Sequence, residues 1–311
     1  MTTELDKLDR NILRLLEQDA RQSKSRIAEQ LKTNKAIVTY RINRLIKSHV
    51  VTGYRYYVNE AKLGATSYGL LLRFEGLLLQ EQEDLVRHIR TAKIFDWITL
   101  TNGSWEAIAV SVVPNPASFT SLLDTFFEQF GAYVKSYIFY MDYQGSVADH
   151  NYLYSEPHAE NVSYTHSTKK IELTNLQRDI VNLLTKRPTL SLLDMAKRLE
   201  KTYDTVQSHY RSLLATGVLL KCVPIINHEL LGYTNTLCFY TLSPKPARIN
   251  AFWETCRAHP NIVRQSRCLG TFTIVLNIHS QTEHEFKAIT STLNKEFSDC
   301  IAEYTALHTI D

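Results

Sequence analysis

Apolar residues return at helical spacing three times within the first fifty positions. Leu8, Ile12, Leu15 and Leu16 fall at i, i+4, i+7 and i+8, one stripe of an amphipathic helix. Ser23 stands where an N-cap belongs, ahead of a short helix carrying Ile27, Ala28 and Leu31. Asn34 caps a third helix whose Val38, Ile42 and Leu45 face inward. Small Ala28, the turn Lys32-Thr33-Asn34 and the apolar triad predict a helix-turn-helix. Then the period changes. Val50-Val51-Thr52-Gly53-Tyr54-Arg55-Tyr56-Tyr57-Val58 is β-branched and aromatic around one Gly, which predicts a short strand pair, a wing.

After Gly64 the pattern predicts a strand over Ser67–Phe74, a helix over Glu81–Arg90, and strands over Phe95–Leu100 and Ala107–Val113. A helix capped by Ser118, burying Leu122, Leu123, Phe126, Phe127 and Phe130, precedes a last strand over Val134–Tyr143. The order β-α-β-β-α-β is ferredoxin-like, an antiparallel sheet with both helices on one face. Tyr137, Phe139 and Tyr140 load its other face with aromatics, so a second layer is expected there.

The whole pattern occurs twice. A shift of 168 residues aligns Leu5–Gly64 with Leu173–Gly232 without a gap, pairing identical residues such as Ile12/Ile180, Ala28/Ala196, Val38/Val206 and Leu45/Leu213. Farther on the offset is 167, pairing Gly103 with Gly270, Phe119 with Phe286 and Tyr137 with Tyr304. The expected fold class is therefore α+β, two helix-turn-helix domains alternating with two ferredoxin-like domains. Their expected boundaries are 1–60, 61–144, a linker over 145–168, 169–232 and 233–311.

Charge changes the picture. The net charge of +3 is segregated: residues 1–60 carry +5, residues 169–232 carry +4, and 61–144 carry −3. Positive charge confined to two small helical modules is the footprint of phosphate binding, and it sets aside a three-helix bundle without nucleic acid. The expected partner is double-stranded DNA. The five cysteines all lie in the second half with no CxxC pair, as free thiols of a reducing compartment do. With no apolar run long enough for a bilayer and no signal peptide, a cytoplasmic location without membrane is expected. In the linker His150, His158 and His166 recur every eight residues, a spacing that converges on no metal, so solvated histidines are expected and no cofactor.

The order of parts resembles the Lrp/AsnC family of feast/famine transcription regulators. The residues that carry the likeness are Leu5-Asp6-Lys7-Leu8-Asp9-Arg10-Asn11-Ile12-Leu13, Asp19-Ala20-Arg21-Gln22-Ser23, Arg41-Ile42-Asn43-Arg44-Leu45, Val50-Val51-Thr52-Gly53-Tyr54 and Lys62-Leu63-Gly64. The resemblance implies a winged helix-turn-helix followed by an effector-binding regulatory (RAM-type) domain, twice in one polypeptide. Ordinary members are homodimers whose sheets pack face to face, and many assemble further. Here the tether would make that pairing intramolecular at high effective concentration, a pseudo-dimer. The resemblance also implies an amino-acid or other small effector near the turn between the second and third strands, at a Gly-x-x-Asp element. The first repeat offers Gly103, Ser104 and Glu106 there; the second offers Gly270 and Thr271, with Thr273 in place of the acid.

The DNA-reading positions expected on the third helix are Lys35, Ala36, Thr39, Tyr40, Asn43, Arg44 and Lys47. Their counterparts are Tyr203, Asp204, Gln207, Ser208, Arg211, Ser212 and Ala215, so three cations become one and an acid enters. The first repeat is thus expected to supply most of the affinity. Two other readings compete: an architectural DNA-binding protein, and a siroheme decarboxylase-like enzyme, since those enzymes share the two-part fold. Against the enzyme, Thr99–Glu106 holds no His, the second repeat offers only Arg264 and Arg267 before its turn, and neither a Ser/His/Asp, a Cys/His nor a paired-carboxylate constellation appears.

Overall fold

A computed structural model of the chain describes residues 4–154, 161–165 and 170–310. In chain order the first repeat forms α1 (Lys7–Gln18), α2 (Lys24–Gln30), α3 (Lys35–Lys47), β1 (Val51–Val58), β2 (Thr66–Phe74), α4 (Leu79–Ala92), β3 (Trp97–Asn102), β4 (Ala107–Val113), α5 (Pro116–Phe130) and β5 (Val134–Val147). After β6 (Val162–Thr165), the second repeat forms α6 (Asn175–Lys186), α7 (Leu192–Arg198), α8 (Tyr203–Ala215), β7 (Leu219–Ile226), β8 (Thr234–Leu242), α9 (Pro246–Ala258), β9 (Ile262–Gly270), β10 (Ile274–Ser280), α10 (Glu283–Glu296) and β11 (Ile301–Ile310). These elements make two compact units, one from residues 1–63, 149–162 and 169–233, the other from 64–148, 163–168 and 234–311.

The first unit holds both helix-turn-helix modules. Asp6 caps α1 by accepting from the Asp9 N–H while the Asp9 carboxylate takes the Asp6 N–H, a reciprocal box that satisfies two orphan donors. Ser23 and Asn34 cap α2 and α3, and Ile12, Leu15, Ile27, Val38, Ile42 and Leu45 are buried as their spacing requires. The expected wing hairpin does not form. Val51–Val58 is one uninterrupted strand, with Gly53 too short a break for a turn, and it pairs antiparallel with β7. The register is self-complementary: Val51 faces Ile226 and Val58 faces Leu219, so the first residue of each strand meets the last of its counterpart. Each module lends this strand to its neighbour's core. Ile226 and Leu231 pack with Ile12 and Val38, while Tyr56 packs with Ile180 and Val206.

The second unit holds both ferredoxin-like domains. The first repeat's sheet runs β5-β2-β4-β3 and the second's runs β11-β8-β10-β9. They join edge to edge at two seams, β3 with β11 and β9 with β5, and the pairing of β2 with β5 closes the ring. Leu71, Ile108, Tyr140, Leu237, Phe239, Phe272 and Leu307 from both repeats fill the layer inside. Of the aromatics expected there only Tyr140 is present. Strand alternation turns Tyr137 and Phe139 the other way, against Phe127 and Phe119 of α5, where they remain 44% and 48% exposed. Asn115, not Ser118, caps α5, because Pro116 begins the helix and has no N–H to satisfy.

The expected linker is partly structure. Gly145–Val147 complete β5 against β9, Asn151–Leu153 form a 3-10 turn, and Leu153 and Tyr154 enter the core of the first module. His150 belongs to that packed stretch and is not a solvated linker residue; His158 and His166 lie outside the described residues. All five cysteines are free and buried. Among the described residues no helix is long and apolar enough to cross a membrane.

Candidate nucleic-acid interface

The reader helices α3 and α8 are built alike. Each is capped by a polar side chain, Asn34 or Thr202, and each turns a buried Val and Leu inward, Val38 with Leu45 and Val206 with Leu213. Lys35, Ala36, Tyr40, Asn43, Arg44 and Lys47 of α3 are exposed and Thr39 is half-buried; the Tyr40 ring stands 64% open. On α8, Tyr203, Asp204, Ser208, Arg211, Ser212 and Ala215 are exposed and Gln207 is half-buried, its amide donating to the Tyr203 hydroxyl at 3.0 Å. Side chains so disposed can meet base edges near the helix start and phosphates near its end.

Arg44 is exposed yet already engaged. Its guanidinium bonds the carboxylate of Asp9, which is fully buried, and lies 3.9 Å from Asp6. Arg41 bonds Asp6 and, at 3.3 Å, Asp9. Burial works against ionised Asp6, but the Asp9 N–H and Arg41 hold its carboxyl below the usual range. A 168-residue shift places Thr174, Gln177, His209 and Ser212 at the positions of Asp6, Asp9, Arg41 and Arg44. There Thr174 and Gln177 form a neutral capping box, and the Gln177 amide donates to Ser212 at 3.4 Å. The Arg44/Ser212 difference thus follows from the exchange of a charged for a neutral helix-capping network. Asp6 and Asp9 were not singled out in the sequence; their signal was the i, i+3 capping spacing ahead of an apolar stripe.

A second set of cations also escaped notice. Lys197, Arg198 and Lys201 are exposed at the end of α7 and in the following turn, where the first repeat has Glu29, Gln30 and Thr33. Position-by-position comparison of the repeats would have shown them.

The candidate effector residues sit in the second unit, at its seams. Gly103 has φ 151°, and a Cβ there would lie 2.6 Å from Leu307 Cδ2 and 3.0 Å from the Ala306 oxygen. Gly270, with φ 117°, would bring one within 3.3 Å of the Phe139 oxygen. Each glycine therefore admits the last strand of the other repeat. The Ser104 carbonyl accepts from Arg73 Nε at 2.7 Å, the Thr271 carbonyl accepts from Thr241 at 3.1 Å, and the Glu106 carboxylate accepts from the Phe74 N–H at 3.2 Å.

The first unit also holds a buried ionic cluster. The Glu17 carboxylate bonds His150 Nδ1 and the Tyr154 hydroxyl, and Lys221 bonds Asp149. Burial opposes an ionised Glu17, but the His150 charge and the bonds from His150 and Tyr154 hold its carboxyl below the usual range. Burial and the Glu17 charge push Asp149 up to about 6. Burial works to lower His150, but Glu17 and Asp149 hold it above its ordinary value. Among the described residues no group of three or more His, Cys, Asp or Glu is placed to hold a metal ion.

A family model described as winged helix-turn-helix DNA-binding matches residues 5–52. An HTH-type transcriptional regulator of Pyrococcus horikoshii, PH0140, described as uncharacterized, is 41% identical over 61 residues, 20% of this chain and 39% of its own length. The HTH-type transcriptional regulator FL11 of Pyrococcus furiosus is 24% identical over 113 residues, 36% of this chain and 74% of its own. At the level of fold, the crystal structure of the siroheme decarboxylase NirDL aligns with 98% of this chain and 91% of its own, with a TM-score of 0.65 and 15% identity.

Proposed function

We propose that this chain, a tandem-duplicated protein of the Lrp/AsnC type, is a sequence-specific transcription regulator that grips duplex DNA as an intrachain pseudo-dimer. The observation that carries this reading is the self-complementary pairing of β1 with β7, which sets two basic helix-turn-helix modules in one frame. Lys35 and Lys47 serve as phosphate contacts, and Ala36, Thr39, Tyr40 and Asn43 as base-edge contacts; Arg44 holds α3 to α1. The test is fluorescence anisotropy of the purified chain with a labelled duplex across a salt series. The logarithm of affinity should fall linearly with the logarithm of salt, about 0.9 per phosphate contacted. Absence of binding at low salt overturns the reading.

The same reading includes a small effector, an amino acid by the family resemblance, seated at Gly103–Glu106 and at Gly270–Thr271. Its support is position: a ligand at either turn would touch both repeats and bias how the seam closes. A thermal shift of the chain with mixed amino acids, reduced in the Glu106→Gln variant to what the second turn supplies, is the expected result. A cytoplasmic location and assembly of several chains accompany this picture.

One observation favours a second reading, decarboxylation of a tetrapyrrole: the fold likeness to NirDL extends over the whole chain. Incubation with siroheme followed by mass spectrometry decides it. An unchanged siroheme mass sinks the enzyme and leaves the regulator standing.

A further inference from the structure

We infer that the DNA site of this chain is asymmetric, two unlike half-sites read by α3 and α8, and this rests on the regulator reading above. In a homodimer the two readers are identical and the operator mirrors their symmetry, so its half-sites are inverted copies. Here the frame keeps the dyad. The β1–β7 register is self-complementary, and both readers keep the same inward Val and Leu. The outward positions share nothing. Ala36 corresponds in the repeat to Asp204, Thr39 to Gln207, and Asn43 to Arg211.

The second reader is not a weakened copy of the first. Its apparent loss of a cation at Ser212 is the Arg44 position, and Arg44 is committed to buried Asp9. Meanwhile exposed Lys197, Arg198 and Lys201 place the second repeat's cations where the first has Glu29, Gln30 and Thr33, whereas the first carries its own at Lys24, Arg26 and Lys32. Both modules thus hold phosphates, from different places, and the reading positions are free to differ.

The chemistry of those positions names the two half-sites. Asn43 suits the N6/N7 edge of adenine, and Ala36 and the Thr39 methyl suit the methyl of thymine, so α3 should select an A·T-rich half-site. Asp204 can accept from the N4 amino group of cytosine and Arg211 can donate to O6 and N7 of guanine, so α8 should select a half-site containing G·C pairs. Both side chains are exposed.

Selection of bound duplexes from a random-sequence pool by the full chain tests this. The expected result is a bipartite consensus with unlike halves, A·T-rich on one side and G·C-containing on the other. Replacing the G·C half by an inverted copy of the other should weaken binding about 5- to 100-fold or more, the lower range being what a single base contact covers. Repeating the selection with Arg211→Ala and with Asp204→Ala should relax base choice in the G·C half alone, and Asn43→Ala in the A·T half alone. Circular dichroism melts check that these surface changes leave the fold intact. A palindromic consensus, or one specified half beside a random one, overturns the asymmetric site while the regulator stands. No enrichment of any duplex overturns the regulator reading and this inference with it.

Discussion

The Glu106 carboxylate and the Thr273 hydroxyl do the same task in the two repeats. Glu106 accepts from the Phe74 N–H at 3.2 Å, and Thr273 accepts from the Leu242 N–H at 3.0 Å. Each sits one residue ahead of the third strand of its repeat and extends that strand's hold on the first. The second repeat has therefore lost an acid without losing its acceptor. Glu106→Ala and Thr273→Val should each destabilise the second unit by about 1–3 kcal/mol, the usual cost of stranding a buried donor. Glu106→Gln keeps an acceptor and should unfold near the wild-type midpoint. Urea titrations of the three variants check this, and a large loss in Glu106→Gln would show that the negative charge itself is needed.

Arg44 should behave as a structural residue in spite of its exposure. Arg44→Ala leaves buried Asp9 with the Asp6 N–H and, as its one cation, Arg41 at 3.3 Å, so the unfolding midpoint should drop. The slope of DNA affinity against salt should change little. Lys35→Ala and Lys47→Ala should do the opposite, keeping the midpoint and each flattening the slope by about 0.9. If Arg44→Ala flattens the slope as Lys47→Ala does, its guanidinium leaves Asp9 on DNA.

The buried cluster around His150 makes the first unit sensitive to pH. The groups facing His150 are Glu17 from α1, Asp149 beside it, Lys221 from β7, and the tyrosines Tyr152 and Tyr154. His150 is held above its usual 6.5, so its contribution is complete below that value and is lost as pH rises through the raised one. Asp149, pushed up to about 6, disfavours the folded state as it ionises between its ordinary 3.8 and that value. Glu17 is held below its ordinary 4.5, so its contribution disappears only as pH falls further. The first unit should therefore lose stability as pH rises from mildly acidic solution through the raised value of His150, and His150→Gln should remove the part of that loss above 6.5. Thermal melts across pH check it. Parallel curves for the two proteins would mean His150 does not titrate in this range.

The sequence made the repeat, its helices and their buried stripes legible, because a 3.6-residue period and a cap are local properties. Val38, Ile42 and Leu45 are buried where their spacing put them. What failed were long-range facts. A strand such as Val51–Val58 looks the same whether it folds on itself or pairs with its counterpart near residue 222, and only the absence of a turn hinted at the latter. Tyr137 and Tyr140 were read as one face, although three residues apart on a strand they lie on opposite ones. Arg44 faces solvent as its spacing requires, but the carboxylate that engages it lies 35 residues away and left no local signal. His150 was read as solvated because its partner lies 133 residues away.

The duplication itself can be tested by cutting it. A fragment of residues 1–154 ends with the described part of the stretch that packs on α1, and it leaves three strand edges open: β1 without β7, the β3 edge that met β11 and the β5 edge that met β9. Since the β1–β7 register is self-complementary, a second fragment can supply β1 for β1, and β5 for β3. It would also cover Leu71, Ile108 and Tyr140, apolar surface worth about 25 cal/mol for each Å² removed from water. The fragment should be a dimer at micromolar concentration by light scattering. Tyr140→Ala should break it, with a cost of about 3–5 kcal/mol, as for other large buried rings. Tyr137→Ala should leave it intact, since that ring rests on Phe127 of its own repeat. A fragment that stays monomeric at the highest attainable concentration would mean that the tether, and not the complementary edges, holds the two repeats together.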